Sequence, residues 1–184
     1  MRSLSVLIVL LFSAGGYAQD TQLYWGDTHL HTSLSPDAYL LGNRSATPDT
    51  AYRYAKGYPV VHPYHRAKIQ IGTPLDFLVV TDHAEYMGII PLVLSGDPLL
   101  ADSEVAQRGK ANADAGNPQA FFAELIGTAN SGNPVPEFQA ESVRANMWEK
   151  IVDAAERHNE PGKFTAFIGW EWSSIPDGAN LHRI

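Results

Sequence analysis

Cysteine is absent from the 184 residues, so the chain has neither a disulfide framework nor a lipobox thiol, and its stability rests on packing and on any metal it binds. Positive charge is also scarce: 13 Lys and Arg stand against 20 Asp and Glu, for a net charge of −7. Nucleic acid is therefore set aside as a partner, because a phosphate backbone demands a basic patch. A phosphate ester remains open as a substrate, since bound divalent cations reverse the sign of the field locally. Internal repeats are lacking, and so is any apolar run of the roughly 20 residues that span a bilayer.

The longest apolar run, Leu4 to Phe12, follows Arg2 and precedes Gly16-Tyr17-Ala18, a small-x-small sequence. This order reads as a signal peptide over residues 1–18, cleaved after Ala18, with an uncleaved N-terminal anchor as the alternative. The mature chain, 19–184, loses the charge of Arg2 and carries −8. It is expected in the periplasm or outside the cell, without stable membrane insertion. Its 45% apolar and 18% charged content is that of one ordinary globular domain.

Leu23 to Thr28 reads as a short strand entering a loop. Thr47-Pro48-Asp49 opens a helix, with Thr as cap, Pro at the first helical position and an acid in the first turn, and Gly57 closes it. Tyr58 to Gly72 reads as a loop. Leu75 to Thr81 is an apolar run suited to a strand buried on both faces. Helices are expected from about Ser103 to Asn112, from Asn117-Pro118 to Gly127, and over Glu137 to His158, with a polar loop from Asn130 to Pro136 and a break at Pro161-Gly162. Phe164 to Trp170 is a third buried strand. The order is that of an α/β fold with parallel strands. Three strands alone leave raw edges, which predicts part of a larger domain.

The chemistry-bearing residues lie just past the ends of these strands: His29 and His31, then Asp82 and His83, then Glu171. Active sites of parallel α/β barrels assemble at that face. Alternate residues on an extended backbone point the same way, so His29 and His31 can offer two imidazoles to one cation, with Asp27 as an acceptor orienting one ring. A lone His-x-His is weak; three consecutive strand ends carrying metal-type ligands form a coherent pattern. Asp82 and Glu171 are the candidate catalytic carboxylates. The plainer alternatives are a helix cap for Asp82 and an Arg or Lys ion pair for Glu171. Asp37 follows Pro36 and also suits a turn. Arg44 and His65 are candidate substrate contacts, although a solvated face suits both, and His62 is read with His65 as surface or substrate contact. His158 is explained by a helix C-terminus. Trp25, Trp170 and Trp172 are expected in the core or a pocket wall.

Gly26-Asp27-Thr28-His29-Leu30-His31-Thr32 and Asp76-Phe77-Leu78-Val79-Val80-Thr81-Asp82-His83-Ala84-Glu85 resemble the first two motifs of the PHP (polymerase and histidinol phosphatase) superfamily. With Leu23-Tyr24-Trp25, Thr47-Pro48-Asp49-Thr50-Ala51-Tyr52 and Gly169-Trp170-Glu171-Trp172-Ser173-Ser174, the set is similar to one branch, the domain of unknown function 3604 family. The resemblance implies a distorted (β/α)7 TIM-like barrel around two or three metal ions that hydrolyses phosphate esters. It also implies metal ligands at His29, His31, Asp37, His83 and His182, with Glu171 as a bridging carboxylate. A later histidine and a closing Asp-x-His of the superfamily would fall beyond Ile184, so the chain is expected to be an N-terminal fragment with the first three strands and their helices. The ligand mixture suits Zn, Mn or Fe. The expected function is an exported metal-dependent phosphoesterase acting on a small ester. An amidohydrolase-like deacetylase, lactonase or esterase is the rival enzyme, and a truncated, non-catalytic chain is the rival of another class. A strand-end lysine would favour the amidohydrolase, and these strand ends carry none.

Overall fold

Phe77–Val80 (β4) is the middle strand of a three-stranded parallel sheet, between Gly26–Asp27 (β1) and Thr165–Ile168 (β5). The computed structural model describes residues 21–174 and 181–184; the expected signal peptide lies outside them. In register, Gly26 stands opposite Phe77, and Phe77 to Val80 run beside Thr165 to Ile168. Gly26 is glycine for a steric reason: a Cβ there would run into the Phe77 ring.

Leu78 and Val80 point to one face of the sheet and are fully buried. Covering them are Pro48–Ala55 (α2) and Glu141–His158 (α6), which bring Tyr52, Ala55, Ile151, Ala154 and Ala155 into the same cluster with Phe164. Tyr52 donates its hydroxyl to the Phe167 carbonyl at 2.9 Å, and burial pushes its phenol up to about 12. Helix α2 begins and ends as its residues demand: Thr47 Oγ1 accepts from Thr50 N–H, Pro48 opens the helix, and Gly57 follows it at φ 82°. Along α6, buried Val143, Met147, Ile151, Ala154 and Ala155 form one stripe.

The other face of the sheet is less covered than expected. Phe77 and Val79 are half-buried, and Phe167 of β5 is 48% exposed beside Phe77. The expectation of strands buried on both faces is corrected here: helices pack on only one face of this sheet among the described residues.

Between β4 and α6 the chain builds a second core. Ile89–Ser95 (α3), Glu104–Asp114 (α4) and Pro118–Asn130 (α5) enclose Ile89, Ile90, Phe121 and Leu125, with Phe138 set edge-on to both Tyr86 and Phe121. Short elements complete the chain: Pro36–Leu40 (α1), the antiparallel pair Val60–Val61 (β2) and Lys68–Ile69 (β3), and the antiparallel pair Trp172–Ser174 (β6) and Leu181–Arg183 (β7). None of the described helices is long and apolar enough to cross a membrane.

Several boundaries differ from the reading of the sequence. Helix α5 passes through Gly127 to Asn130, since one glycine costs only about 1 kcal/mol and the Phe121–Leu125 face is already anchored. The stop is Gly132, at φ 68°. The expected helix over Glu137 to His158 is split: Pro136–Gln139 forms a 3-10 turn, and Ala140 is extended at ψ 137° before α6 starts. Seating Phe138 in the second core forces that break. The stretch from Tyr58 to Gly72 contains the β2–β3 pair, whose strands of two residues are too short to show a period.

The ends of α2 and α6 are tied electrostatically. Arg157 donates twice to Asp49, at 3.2 and 2.8 Å, and His158 Nε2 lies 3.0 Å from the same carboxylate. Burial alone would raise the Asp49 pKa, but Arg157 and His158 outweigh it and hold the carboxyl below its ordinary value. A depressed acid stabilises the fold above its unfolded pKa, and that contribution is lost as pH falls through the folded one. Asp49→Asn is therefore expected to lower stability at neutral pH by about 0.5 kcal/mol, discounted for exposure, with the gap to wild type closing in acid. Urea melts of both proteins at several pH values check this.

Candidate metal centre

Backbone pairing continues past the strand ends and sets the site. Thr81 N–H donates to Leu30 O at 2.8 Å, Leu30 N–H donates to Thr81 Oγ1, and Glu171 N–H donates to Asp82 O at 3.1 Å. His83 stands beside Glu171 in a parallel bridge. The fastening between the first two segments is Asp82, which is wholly buried. One of its oxygens accepts Thr32 N–H at 2.5 Å and the other accepts the Thr32 hydroxyl at 2.6 Å. Burial pushes the Asp82 carboxyl up to about 6 against the pull of those two bonds.

These pairings bring six expected ligands together. Glu171, 2% exposed at its side chain, is the centre: His29 Nε2 lies 3.1 Å from its Oε2, His31 Nε2 2.5 Å and His83 Nδ1 3.8 Å, while His182 Nδ1 contacts Oε1. His31 also turns Nδ1 toward both Asp37 oxygens at 3.1 Å, and His83 Nε2 lies 3.8 Å from Asp37. Three overlapping triads have ligand atoms close enough to share an ion: His29, His31 and Glu171; His31, Asp37 and His83; His83, Glu171 and His182.

The donor chemistry fits divalent cations. A neutral imidazole has one N–H, yet His31 faces a carboxylate with each nitrogen. Three imidazoles converge on a single oxygen of Glu171, and no Lys or Arg pairs with Glu171 among the described residues. Four histidines and two carboxylates thus make up three groups that could each hold a metal ion.

The ionisation of the cluster follows from its crowding. Burial opposes charge on Asp37, but hydrogen bonds with His31 and Ser35 prevail and hold its carboxyl far below the usual carboxylate range. Burial likewise lowers the pKa of His31, yet Asp37 and Glu171 together raise it. At His83 burial wins and the pKa falls. Glu171 is pushed up by burial and pulled down further by His83, His29 and His31, ending below its ordinary value.

Two serines that sequence reasoning passed over hold the ligands. Buried Ser35, the residue just before α1, donates its hydroxyl to Asp37 Oδ1 at 2.6 Å, while its oxygen lies 3.3 Å from His31 Nδ1. Ser173 Oγ lies 3.0 Å from His83 Nδ1 and 3.1 Å from His182 Nδ1. The only signal for either serine was its proximity in sequence to a ligand.

Other candidates fall elsewhere. Asp82 has both oxygens engaged by Thr32 and belongs to none of the triads, so this geometry makes it a positioning residue. Asp27 accepts the His29 backbone N–H at 2.9 Å and orients no ring, because the strand turns there. Arg44 is exposed with its guanidinium over Tyr39, and exposed His65 stacks on His62 beyond β2; neither joins the cluster. All three tryptophans are exposed rather than core, Trp25 at 70%, Trp170 at 49% and Trp172 at 46%, and Trp170 also meets Trp148 edge-on in a cavity wall.

Thr32→Val keeps the shape of the side chain and removes one of the two donors to buried Asp82. A loss of about 1–3 kcal/mol is expected, measured by urea unfolding of the chelator-treated protein.

The model of the family described as a protein of unknown function (DUF3604) matches residues 18–184. No curated protein and no solved structure matches the chain. The family match runs through every segment that builds the cluster, and the chain belongs to the DUF3604 family.

Proposed function

We propose that the chain is part of an exported, metal-dependent hydrolase of the PHP superfamily, acting as a phosphoesterase. The observation that carries this reading is the convergence of His29, His31 and His83 on one oxygen of buried Glu171. A partial barrel is supported by the sheet: its parallel strands have helices on one face and the half-covered Phe77, Val79 and Phe167 on the other. Export is supported by Arg2, the Leu4–Phe12 run and the small residues before Gln19.

Divalent cations bound by these ligands would bring the pKa of water toward neutrality and offset the charge on a phosphoryl group. In the hydrolysis, the oxygen of water bonds to phosphorus, the ester P–O bond breaks, and the leaving alcohol takes a proton. The chain supplies placement. Asp37 and Ser35 orient the His31 ring, Ser173 spans His83 and His182, and the Asp82–Thr32 clamp keeps the His29–His31 segment against His83. Glu171 offers its carboxylate to two of the three triads and is the residue on which a shared centre depends. A small ester with no nucleic-acid character suits the acidic chain.

The test is metal analysis of the protein as its gene encodes it, purified without chelator, beside a His29→Ala/His31→Ala variant, with circular dichroism of both. Wild type is expected to hold Zn, Mn or Fe and to hydrolyse phosphomonoesters. The variant is expected to lose metal and at least about 100-fold in rate. A folded wild type without metal, or a variant that keeps its metal, overturns the reading. Export makes a separate prediction: N-terminal sequencing of secreted protein is expected to begin at Gln19, and a chain still starting at Met1 would overturn cleavage.

A further inference from the structure

Positive charge, scarce in the chain as a whole, is gathered in one stretch. From Thr50 to Leu75 the sequence carries Arg53, Lys56, Arg66 and Lys68 and no Asp or Glu, in a chain of net charge −7. Lys56 is engaged by Glu160 and by the His158 carbonyl. The other three line one cleft of about 460 Å³. Arg53 comes from α2, Arg66 from the turn between β2 and β3, and Lys68 from β3. No acidic residue lines that cleft among the described residues. Like charges gathered on one wall repel each other, and an anion among them relieves the repulsion.

The cleft offers more than charge. Ser45 and Thr50 bring hydroxyls to its wall, and half-buried Pro59 and Val60 give it an apolar part. Two of the cations have fixed neighbours. Arg66 donates from Nη1 to Ser45 Oγ at 3.4 Å, and the Arg53 guanidinium carbon lies 5.6 Å from the centre of the Tyr58 ring. Arg66 also holds φ 55°, a left-handed conformation that glycine or asparagine adopts at less cost. Arginine at that position brings a guanidinium to the cleft at the expense of the turn. The volume is that of a small-molecule site and exceeds the needs of a bare phosphate ion. None of the lining residues belongs to a ligand triad, so the cleft and the metal cluster share no side chain.

We propose that this cleft is an anion site independent of the metal centre, and that it binds the phosphate of a small phosphorylated organic molecule. Three cations suit a group that carries two negative charges better than a carboxylate or a sulfate ester, which carry one. Arg53 and Arg66 donate to the phosphate oxygens through their planar forks, and Lys68 adds a point charge. The organic part lies against Pro59 and Val60. No hydrolysis is needed for this binding, so the assignment stands apart from the phosphoesterase reading.

The test uses propylphosphonate and propanesulfonate, matched in shape, with inorganic phosphate as the bare ion. Binding is followed by titration calorimetry on the full chain at low salt, in mildly alkaline buffer where the phosphonate carries two charges and the sulfonate one. Wild type is expected to prefer propylphosphonate to propanesulfonate by roughly tenfold, the discrimination of one charge-assisted hydrogen bond, and to bind inorganic phosphate more weakly than the phosphonate. Arg53→Gln and Arg66→Gly are each expected to weaken the phosphonate by about tenfold and to leave metal content unchanged by elemental analysis. Glycine accepts the left-handed turn without strain, so Arg66→Gly removes the charge and spares the fold. Arg108→Gln, the same change of net charge on exposed α4, is expected to bind as wild type does. No binding of the phosphonate, equal binding of the sulfonate, or equal weakening in Arg108→Gln overturns the proposal. Phosphonate binding that survives both cleft variants and disappears in His29→Ala/His31→Ala belongs to the metal centre and also overturns it. Inorganic phosphate binding at least as tightly as the phosphonate reduces the cleft to an ion site and overturns the organic ligand.

Discussion

Asp82 is a carboxylate with no access to solvent, and the arrangement of the candidate centre follows from how its burial is compensated. Its only way of staying buried at tolerable cost is to accept two hydrogen bonds, and Thr32 provides both from one residue, through the backbone N–H and the hydroxyl. That requirement pulls the segment after β1 against the segment after β4. His31 precedes Thr32 and His83 follows Asp82, so fastening one pair brings the neighbouring imidazoles to 4.8 Å between ring centroids. The backbone of Asp82 then accepts from Glu171, which brings in the third segment. A residue without a place in any ligand triad thus governs where the ligands stand.

The helices serve this arrangement from behind. Leu78 and Val80 anchor β4 to α2 and α6, so the strand carrying Asp82 and His83 is held by the best-buried part of the sheet core. The segment between β4 and α6 has its own core, and it also brings α5 to the side of the cluster. Its apolar face is divided between inward-facing Phe121 and half-exposed Ile126, which lines a cavity with Asp37, His83 and His182. One helix therefore contributes both to folding and to the shape of the space beside the ligands.

Much of this was legible in the residues. Strand β4 declares itself as Phe-Leu-Val-Val, because a parallel strand with strong core contacts has little need of polar residues. Helix α2 is marked at both ends by Thr47-Pro48 and Gly57, whose preferences are local and survive any tertiary context. Helix α5 was harder: Gly127 looked like a stop, but a glycine inside a helix costs little once neighbouring turns are packed. Phe138 looked like the start of α6 from its spacing, and only the second core shows it belongs to a separate turn. The pairs β2–β3 and β6–β7 have strands of two or three residues, too short for a two-residue period to register.

At the centre itself, the sequence alone determined which residues have ligand chemistry and that they come in clusters: a His-x-His, an Asp-His and a Glu, each just after an apolar strand pattern. Such patterns are local, since side-chain direction alternates along extended backbone and apolar runs mark buried strands. Tertiary structure alone decided that His182 reaches Glu171 across the β6–β7 pair and that Ser35 and Ser173 hold the rings. The physical reason is that hydrogen-bond partnership and burial depend on segments far apart in the chain. Asp82 shows the division: its neighbours in sequence mark it as a catalytic acid, and its partner 50 residues away makes it the fastening of the site.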